Sequence, residues 1–238
     1  MTDKAMLLVE QRDDYLWIRL NRADKANALA VAMMESATAA LYEAVTDDAV
    51  RAVMLTGAGE RVFCAGADVR EKPLDGDMTA HRKRRSAGLA ALLGAIMDTP
   101  KPVIAVLNGT ASGGGAMLAF LSDARVAVDT AAISLPEIDL GMPTFTGATI
   151  AEQVGGLALA VDLVQTGRHM PAAEALSRGL LNRVVPRPAL EQAALELADM
   201  LAEKDAHAFA ANKRWLNRRM KAELDEARKE HERHRKAA

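Results

Sequence analysis

Lys101-Pro102-Val103-Ile104-Ala105-Val106-Leu107-Asn108-Gly109-Thr110-Ala111-Ser112-Gly113-Gly114-Gly115-Ala116-Met117-Leu118-Ala119-Phe120-Leu121 is the stretch that decides the fold. Val103–Leu107 is a continuous apolar run of strand length, and such a run reads as a strand buried on both faces. Three glycines then deliver the chain into a helix formed by Ala116–Leu121, making a strand, glycine loop, helix unit. No charge occurs in the 21 residues from Pro102 to Ser122, nearly the length of a membrane span. Asn108, Thr110, Ser112 and the glycine triplet interrupt it midway, so it reads as buried strand, loop and helix rather than a span.

The same alternation extends outward. Met6–Gln11 and Leu16–Leu20 are apolar runs separated by Asp13-Asp14, which predicts an opening β-hairpin. Val31, Met34, Leu41 and Val45 recur at helical spacing within 30–45. A strand is expected at Ala52–Leu55, followed by a turn at Thr56-Gly57-Ala58-Gly59 and a loop over 60–68. The Arg-rich segment 81–86 runs into a helix reaching about Met97, stopped by Pro100 and Pro102. Downstream are expected a strand at 125–128, a corner at Pro136-Glu137, a loop to Gly147, helices to about Arg178, and a short strand at 181–185. Strands alternating with helices imply an α/β core with crossover connections. After the break at Pro186–Pro188 the pattern is wholly helical, so residues 1–186 are expected to form the core and 187–238 a C-terminal helical region for oligomer contacts and cover of the site.

Composition narrows the function classes. Half of the 238 residues are hydrophobic and 26% are charged, which excludes a disordered chain. Lys and Arg number 30 against 32 Asp and Glu, a formal charge of −2, so there is no global attraction for nucleic acid or an anionic membrane. The single cysteine, Cys64, cannot form an intramolecular disulfide, and there is no Cys/His cluster with zinc spacing. Met1–Asp14 is acidic early and lacks an apolar run with a cleavage site, so a cytoplasmic location is expected.

Two loops could carry chemistry. The glycine triplet lacks the Gly-Lys-Ser/Thr of a Walker loop and the G-x-G-x-x-G spacing, which argues against nucleotide binding of those kinds. At the mouth of a helix, however, Gly114 would present an unpaired N–H. The loop Val62-Phe63-Cys64-Ala65-Gly66-Ala67-Asp68 also follows a strand and is built of small residues. Two such loops after neighbouring strands could aim two N–H groups at one point, as an oxyanion hole requires.

Taken together, 50–57, Phe63-Cys64-Ala65-Gly66-Ala67-Asp68, Lys101–Ala105, Asn108-Gly109, Gly113-Gly114-Gly115, Pro136-Glu137, and 172–179 with Val184-Val185 resemble the crotonase family, the enoyl-CoA hydratases and isomerases. The resemblance runs from Asn21 through Val185. It implies a spiral of ββα repeats with a C-terminal helical region, a homotrimer or a dimer of trimers, and an acyl-CoA substrate with no further cofactor and no metal. It further implies an oxyanion hole formed by the N–H groups of Ala67 and Gly114. Lys25, Ala26, Ala65, Asp68, Val69 and Arg70 are the positions expected to bind the CoA ester.

The departures bear on the reaction. Family hydratases carry a glutamate at the position of Met117 and a second at the position of Glu137; only the second is present. Hydration uses two carboxylates, whereas moving a double bond needs one base, so the expected reaction is isomerisation of an enoyl-CoA with Glu137 as base. Open alternatives are a hydratase with an unconventional second acid (Asp139, Glu152 or Asp162), an acyl-CoA decarboxylase or hydrolase, and, from another class, a catalytically weak acyl-CoA- or RNA-binding protein. The loop Gly141–Ala148 also differs from the Pro-Gly-x-Gly-Gly-Thr pattern of family hydratases. Two basic clusters, His81–Arg85 and Lys213-Arg214 with Arg218-Arg219-Lys221, read either as solvated helix faces or as contacts to CoA phosphates. The run 228–236, with His231 and His234, reads as a solvated helix end.

Overall fold

The computed structural model describes residues 5–73 and 76–237. The opening hairpin pairs β1 (Leu7–Arg12) with β2 (Tyr15–Leu20) antiparallel, and Asp13 turns the chain at φ 51°, a conformation that Asp tolerates better than most residues. α1 (Val31–Thr46) follows, then three successive strand, strand, helix turns. These are β3 (Ala52–Gly57), β4 (Val62–Cys64) and α2 (Met78–Asp98); β5 (Val103–Leu107), β6 (Thr110–Ser112) and α3 (Gly114–Leu121); β7 (Ala124–Val128), β8 (Ala132–Ser134) and α4 (Phe145–Thr166). The chain continues through β9 (Met170–Pro171), α5 (Ala172–Ser177), β10 (Arg183–Val185), α6 (Leu190–Ala202), α7 (Ala206–Leu216) and α8 (Arg218–Ala237).

Each turn gives one strand to each of two sheets, which is the ββα spiral implied by the family resemblance. The larger sheet has the order β1-β2-β3-β5-β7-β10 and is parallel beyond the hairpin. The smaller has the order β4-β6-β8-β9. Around α1 the second strand is reduced to one parallel bridge, Leu29 to Ala67.

The expected loop over 60–68 thus contains a strand, β6 and β8 are likewise strands where none was expected, and β9 interrupts the stretch expected to be helical up to about Arg178. Segments of two or three residues are too short to show a period of two, and only their partners define them. The expected strand 181–185 shortens to Arg183–Val185, and α4 starts two residues before Gly147. The last strand is held by Asn182, whose N–H donates to Arg125 O at 2.9 Å while its Oδ1 accepts from Arg125 N at 2.8 Å.

Leu20, Leu29, Phe63, Ile96, Ile104 and Leu107 fill the space between sheets and helices, together with Met33, Met34 and Met54. Each such side chain contributes ~1.5–3 kcal/mol when fully buried. With only four phenylalanines in the chain, flexible methionines fill much of the remaining volume. α6 buries Leu190, Ala194 and Leu197 against β5 and β7, so the helical region begins inside the core. α7 is anchored by Lys213, 4% exposed, whose Nζ lies 2.6 Å from Asp123 Oδ2 and 3.1 Å from Lys101 O. α8 then packs along α4. By length and apolarity α4 could cross a membrane, but it is broken at Gly156 (φ 80°) and buries Ile150, Ala151, Leu159 and Leu163 in the core.

Candidate active site

Gly115 explains the need for glycine at the start of α3. A Cβ there would stand 2.2 Å from the carbonyl oxygen of Cys64, so only glycine lets the helix rest on the end of β4. That contact brings Gly114 beside Ala67, whose nitrogen is 3.4 Å from where a Cβ on Gly114 would lie. The bridge between Leu29 and Ala67 uses the groups flanking Ala67. Leu29 N donates to Gly66 O at 2.8 Å and Asp68 N to Leu29 O at 3.0 Å. In a parallel pairing of this kind the N–H of Ala67 itself is directed away from Leu29. As the first residue of α3, Gly114 has no intrahelical acceptor for its N–H. Among the described residues neither N–H has a hydrogen-bond acceptor, so two adjacent donors stand available.

Glu137 faces the same point. It sits in a 3₁₀ turn, Pro136–Leu140, which begins on a proline and is closed by Gly141 in the left-handed conformation. Its Oε1 is 3.2 Å from where a Cβ on Gly113 would lie, so the carboxylate rests directly on the glycine triplet. Its Oε2 is buried with no hydrogen-bond partner among the described residues. Burial pushes the Glu137 carboxyl above the ordinary carboxylate range, opposed by a hydrogen bond to its own backbone N–H and by one from the Thr144 hydroxyl. A carboxylate with a raised pKa and an orphaned oxygen is suited to take and return a proton.

Ala67, Glu137 and Met117 line one cavity of about 770 Å³, enclosed by α2, α4 and α8. Met117 is 4% exposed, and its methyl carbon is 3.0 Å from where a Cβ on Gly147 would lie, against the first turn of α4. Leu89, Leu93, Phe145 and Leu224 make much of the wall apolar. His231 and His234 of α8 meet the Phe145 ring edge-on, with centroids 6.1 and 5.9 Å away. The end of α8 is mostly exposed, as expected, and its His231, His234 and Arg235 also border the cavity.

Of the positions expected to bind the CoA ester, Val69 lines this cavity, whereas Lys25, Ala26, Ala65, Asp68 and Arg70 lie outside its wall. Ala65 N donates to Ala26 O at 3.0 Å, which joins those two loops. Asp68 is held by Arg22 at 3.0 Å and accepts from Arg70 N at 3.1 Å, so its carboxylate is engaged within the protein. None of the three candidate second acids reaches the cavity. Asp139 and Glu152 are exposed, and Asp162 is paired with Arg168 and Arg178. The other carboxylates on the wall, Asp98 and Asp225, are paired with Lys221 and Arg228. The basic clusters divide: Arg82, Arg85 and Lys221 line the cavity, but Lys213 is consumed by its buried pair with Asp123 and Arg218 stacks on Trp215. Cys64 is fully buried and its thiol is pushed up to about 12, so it is not a nucleophile.

Sequence reasoning missed Thr144, Phe145 and the continuation of the cavity stripe of α2 beyond the basic cluster His81–Arg85. The stripe was legible in principle, because 82, 85, 86, 89, 93 and 97 recur at helical spacing.

The family model described as enoyl-CoA hydratase/isomerase matches residues 11–237. The chain belongs to the enoyl-CoA hydratase/isomerase family. It is 34% identical over 222 residues to the putative enoyl-CoA hydratase/isomerase YngF of Bacillus subtilis, covering 92% of this chain and 84% of that protein. It is 36% identical over 221 residues to the probable enoyl-CoA hydratase echA8 of Mycobacterium tuberculosis, again covering 92% and 84%. The crystal structure of carnitinyl-CoA hydratase from Mycobacterium avium superposes with a TM-score of 0.84 at 32% identity, covering 97% of this chain and 90% of that one. The two-sheet spiral with C-terminal helices is thus the crotonase fold, and the protein is an acyl-CoA enzyme of this family.

Proposed function

We propose that this family member shifts the double bond of an enoyl-CoA thioester, with Glu137 as the only proton carrier and the N–H groups of Ala67 and Gly114 holding the thioester oxygen. One observation carries the reading: among the described residues Glu137 is the only carboxylate resting on the glycine triplet, and the neighbouring wall position is the thioether of Met117. Glu137 removes a proton from the carbon between the thioester and the double bond. The electron pair moves into a dienolate whose oxygen accepts both N–H bonds, and the same proton returns to the far end of the conjugated system. Preorganised donors of this kind contribute ~3–4 kcal/mol each in the transition state. The CoA thioester is itself the substrate, and the reaction uses no further cofactor or metal.

A second reading, hydration of the enoyl-CoA, is favoured by the hydratase names of several relatives. It requires a second proton donor other than Asp139, Glu152 or Asp162. Incubation with 3-enoyl-CoA and 2-enoyl-CoA esters in deuterated water, read by mass spectrometry, tests the choice. Isomerisation leaves the mass unchanged apart from exchanged label, whereas hydration adds the mass of water, and water addition at enzymic rates, ~1–10³ per second, would overturn the isomerase reading.

As a crotonase-fold enzyme the chain is further proposed to assemble as a trimer or pair of trimers in the cytoplasm. The exposed apolar side chains of Leu157 and Val161 on α4 and of Trp215 and Leu216 on α7 support self-association.

A further inference from the structure

Besides Glu137 and the paired Asp98 and Asp225, the charged groups on the cavity wall are cationic. Asp98 and Lys221 pair where α2 ends and α8 begins, and both helices leave that contact along the wall. Near the start of α2 stand Arg82 and Arg85, 13 to 16 residues back from Asp98 and so ~20–24 Å along the helix axis. Near the end of α8 stand His231, His234 and Arg235. No ion pair joins Arg82, Arg85 or Arg235 to a described carboxylate, and each group carries its own internal repulsion. The charge of Arg82, after burial, depresses the Arg85 pKa against the opposing pull of Glu71 and Asp68, and Arg235 and His234 add to the burial that depresses His231 against that of Glu232. Holding like charges together against a partly apolar wall costs energy that a bound anion would recover.

The position of this end matters as much as its sign. Arg85 Nη1 donates to the carbonyl of Asp68 at 3.3 Å, and Asp68 directly follows the oxyanion donor Ala67. The arginines therefore lie close to where the thioester carbonyl is held. The CoA phosphates stand a whole pantetheine arm away from that carbonyl, whereas a group a few carbons along the acyl chain does not.

From this arrangement we infer that Arg82 and Arg85 form a subsite for a carboxylate at the far end of the acyl group, so that the substrate class is the CoA monothioester of a short dicarboxylic acid. The inference rests on the proposed reading of the thioester site at Ala67 and Gly114. Arg85, half-buried and already oriented by the Asp68 carbonyl, fixes the approach of the anion, and Arg82 adds a second guanidinium one turn earlier on the same stripe. Ser86 on the next position of the stripe offers a neutral donor. Such charge-assisted hydrogen bonds discriminate strongly between a carboxylate and a methyl group of similar size.

The test is calorimetric titration of the full chain with glutaryl-CoA, pentanoyl-CoA, the CoA thioester of 4-(trimethylammonio)butyrate, and free CoA. These acyl groups are saturated, so affinity is read without double-bond chemistry. Glutaryl-CoA should bind about tenfold or more tighter than pentanoyl-CoA, with the cationic ester weakest, and the ratio should collapse towards one in Arg85→Met. Arg82→Met, whose parent side chain makes no hydrogen bond to a described residue, should lower the ratio in the same direction without touching the Asp68 loop. Equal affinity for glutaryl-CoA and pentanoyl-CoA in the unaltered protein would overturn the inference. So would a loss of free-CoA binding in both variants as large as their loss of glutaryl-CoA binding, since the arginines would then serve the phosphates. Failure of the proton-shuttle reading is registered separately, by absent deuterium exchange into a 3-enoyl-CoA.

Discussion

Glu137 and Gly113 are in direct contact: the carboxylate oxygen Oε1 sits 3.2 Å from where any side chain on Gly113 would begin, and Gly113 itself has φ 53° and ψ −123°. The base of the proposed reaction is therefore positioned by a residue that has no side chain. Gly113→Ala should strain the backbone by about 1–3 kcal/mol and push the carboxylate from the donors. A thermal melt together with turnover should show a modest loss of stability and a much larger loss of activity; a variant with full turnover would mean that Glu137 does not depend on this contact.

Glu137→Gln removes the proton carrier while keeping the shape. Turnover should fall by at least ~10²-fold, the lower end of what a general base contributes, with acyl-CoA affinity nearly retained. Steady-state kinetics alongside calorimetric binding separates the two quantities.

The same carboxyl yields a pH prediction with a defined sign. Because burial raises its folded-state pKa above the unfolded value, the folded state holds the proton more tightly, and the contribution to stability falls as pH rises from the unfolded pKa through the folded one. Glu137→Gln should therefore melt higher than the parent at neutral pH, and the gap should close in acid. Turnover by the parent should have an alkaline-rising limb set above the ordinary carboxylate range, since the base acts ionised. Melting curves and rate profiles across pH check both signs.

Met117→Glu restores the carboxylate that family hydratases carry. Lying one turn of α3 beyond Gly114 and on the wall that Glu137 shares, the new acid should add measurable water addition to a short 2-enoyl-CoA, with a shifted pH optimum because two nearby carboxyls raise one another. Its burial against Gly147 should cost a few kcal/mol of stability. Mass spectrometry of the product and a thermal melt read the two effects.

Lys213→Met leaves Asp123 as a buried carboxylate without its cation, which should destabilise the protein by about 3–5 kcal/mol in denaturant unfolding. Asp123→Asn combined with Lys213→Met should recover part of the loss, which a pair acting only as surface charge would not do.

Lys213 also shows where linear reading stops. In sequence it stands beside Arg214 as one more charge in a basic run, yet the fold buries it against Asp123, 90 residues away in the chain. His231 and His234 do stand on a largely exposed helix end, as read, but nothing local reveals that α4 and α2 supply the other walls of a cavity beside them. The short strands β4, β6, β8 and β9 were illegible for a related reason, since a strand of two or three residues is defined by hydrogen bonds to distant segments.

What the sequence by itself determined is the order of the longer elements and the small-residue loops: Val103–Leu107 running into Gly113-Gly114-Gly115, and the parallel case of Val62–Asp68, since continuous apolar runs and glycine positions express local backbone physics. The family and the absence of a glutamate at Met117 were equally legible, being matters of residue identity. Only the tertiary structure decided that Gly115 rests on Cys64, that Ala67 and Gly114 thereby stand side by side, and that Glu137 lies on Gly113 with one oxygen unpartnered. It alone also drew Arg82 and Arg85 out of a basic run and onto the wall of the same cavity. Those facts depend on how segments dozens of residues apart exclude water from one another, and that burial, rather than any local pattern, sets the donors free and raises the pKa of the base.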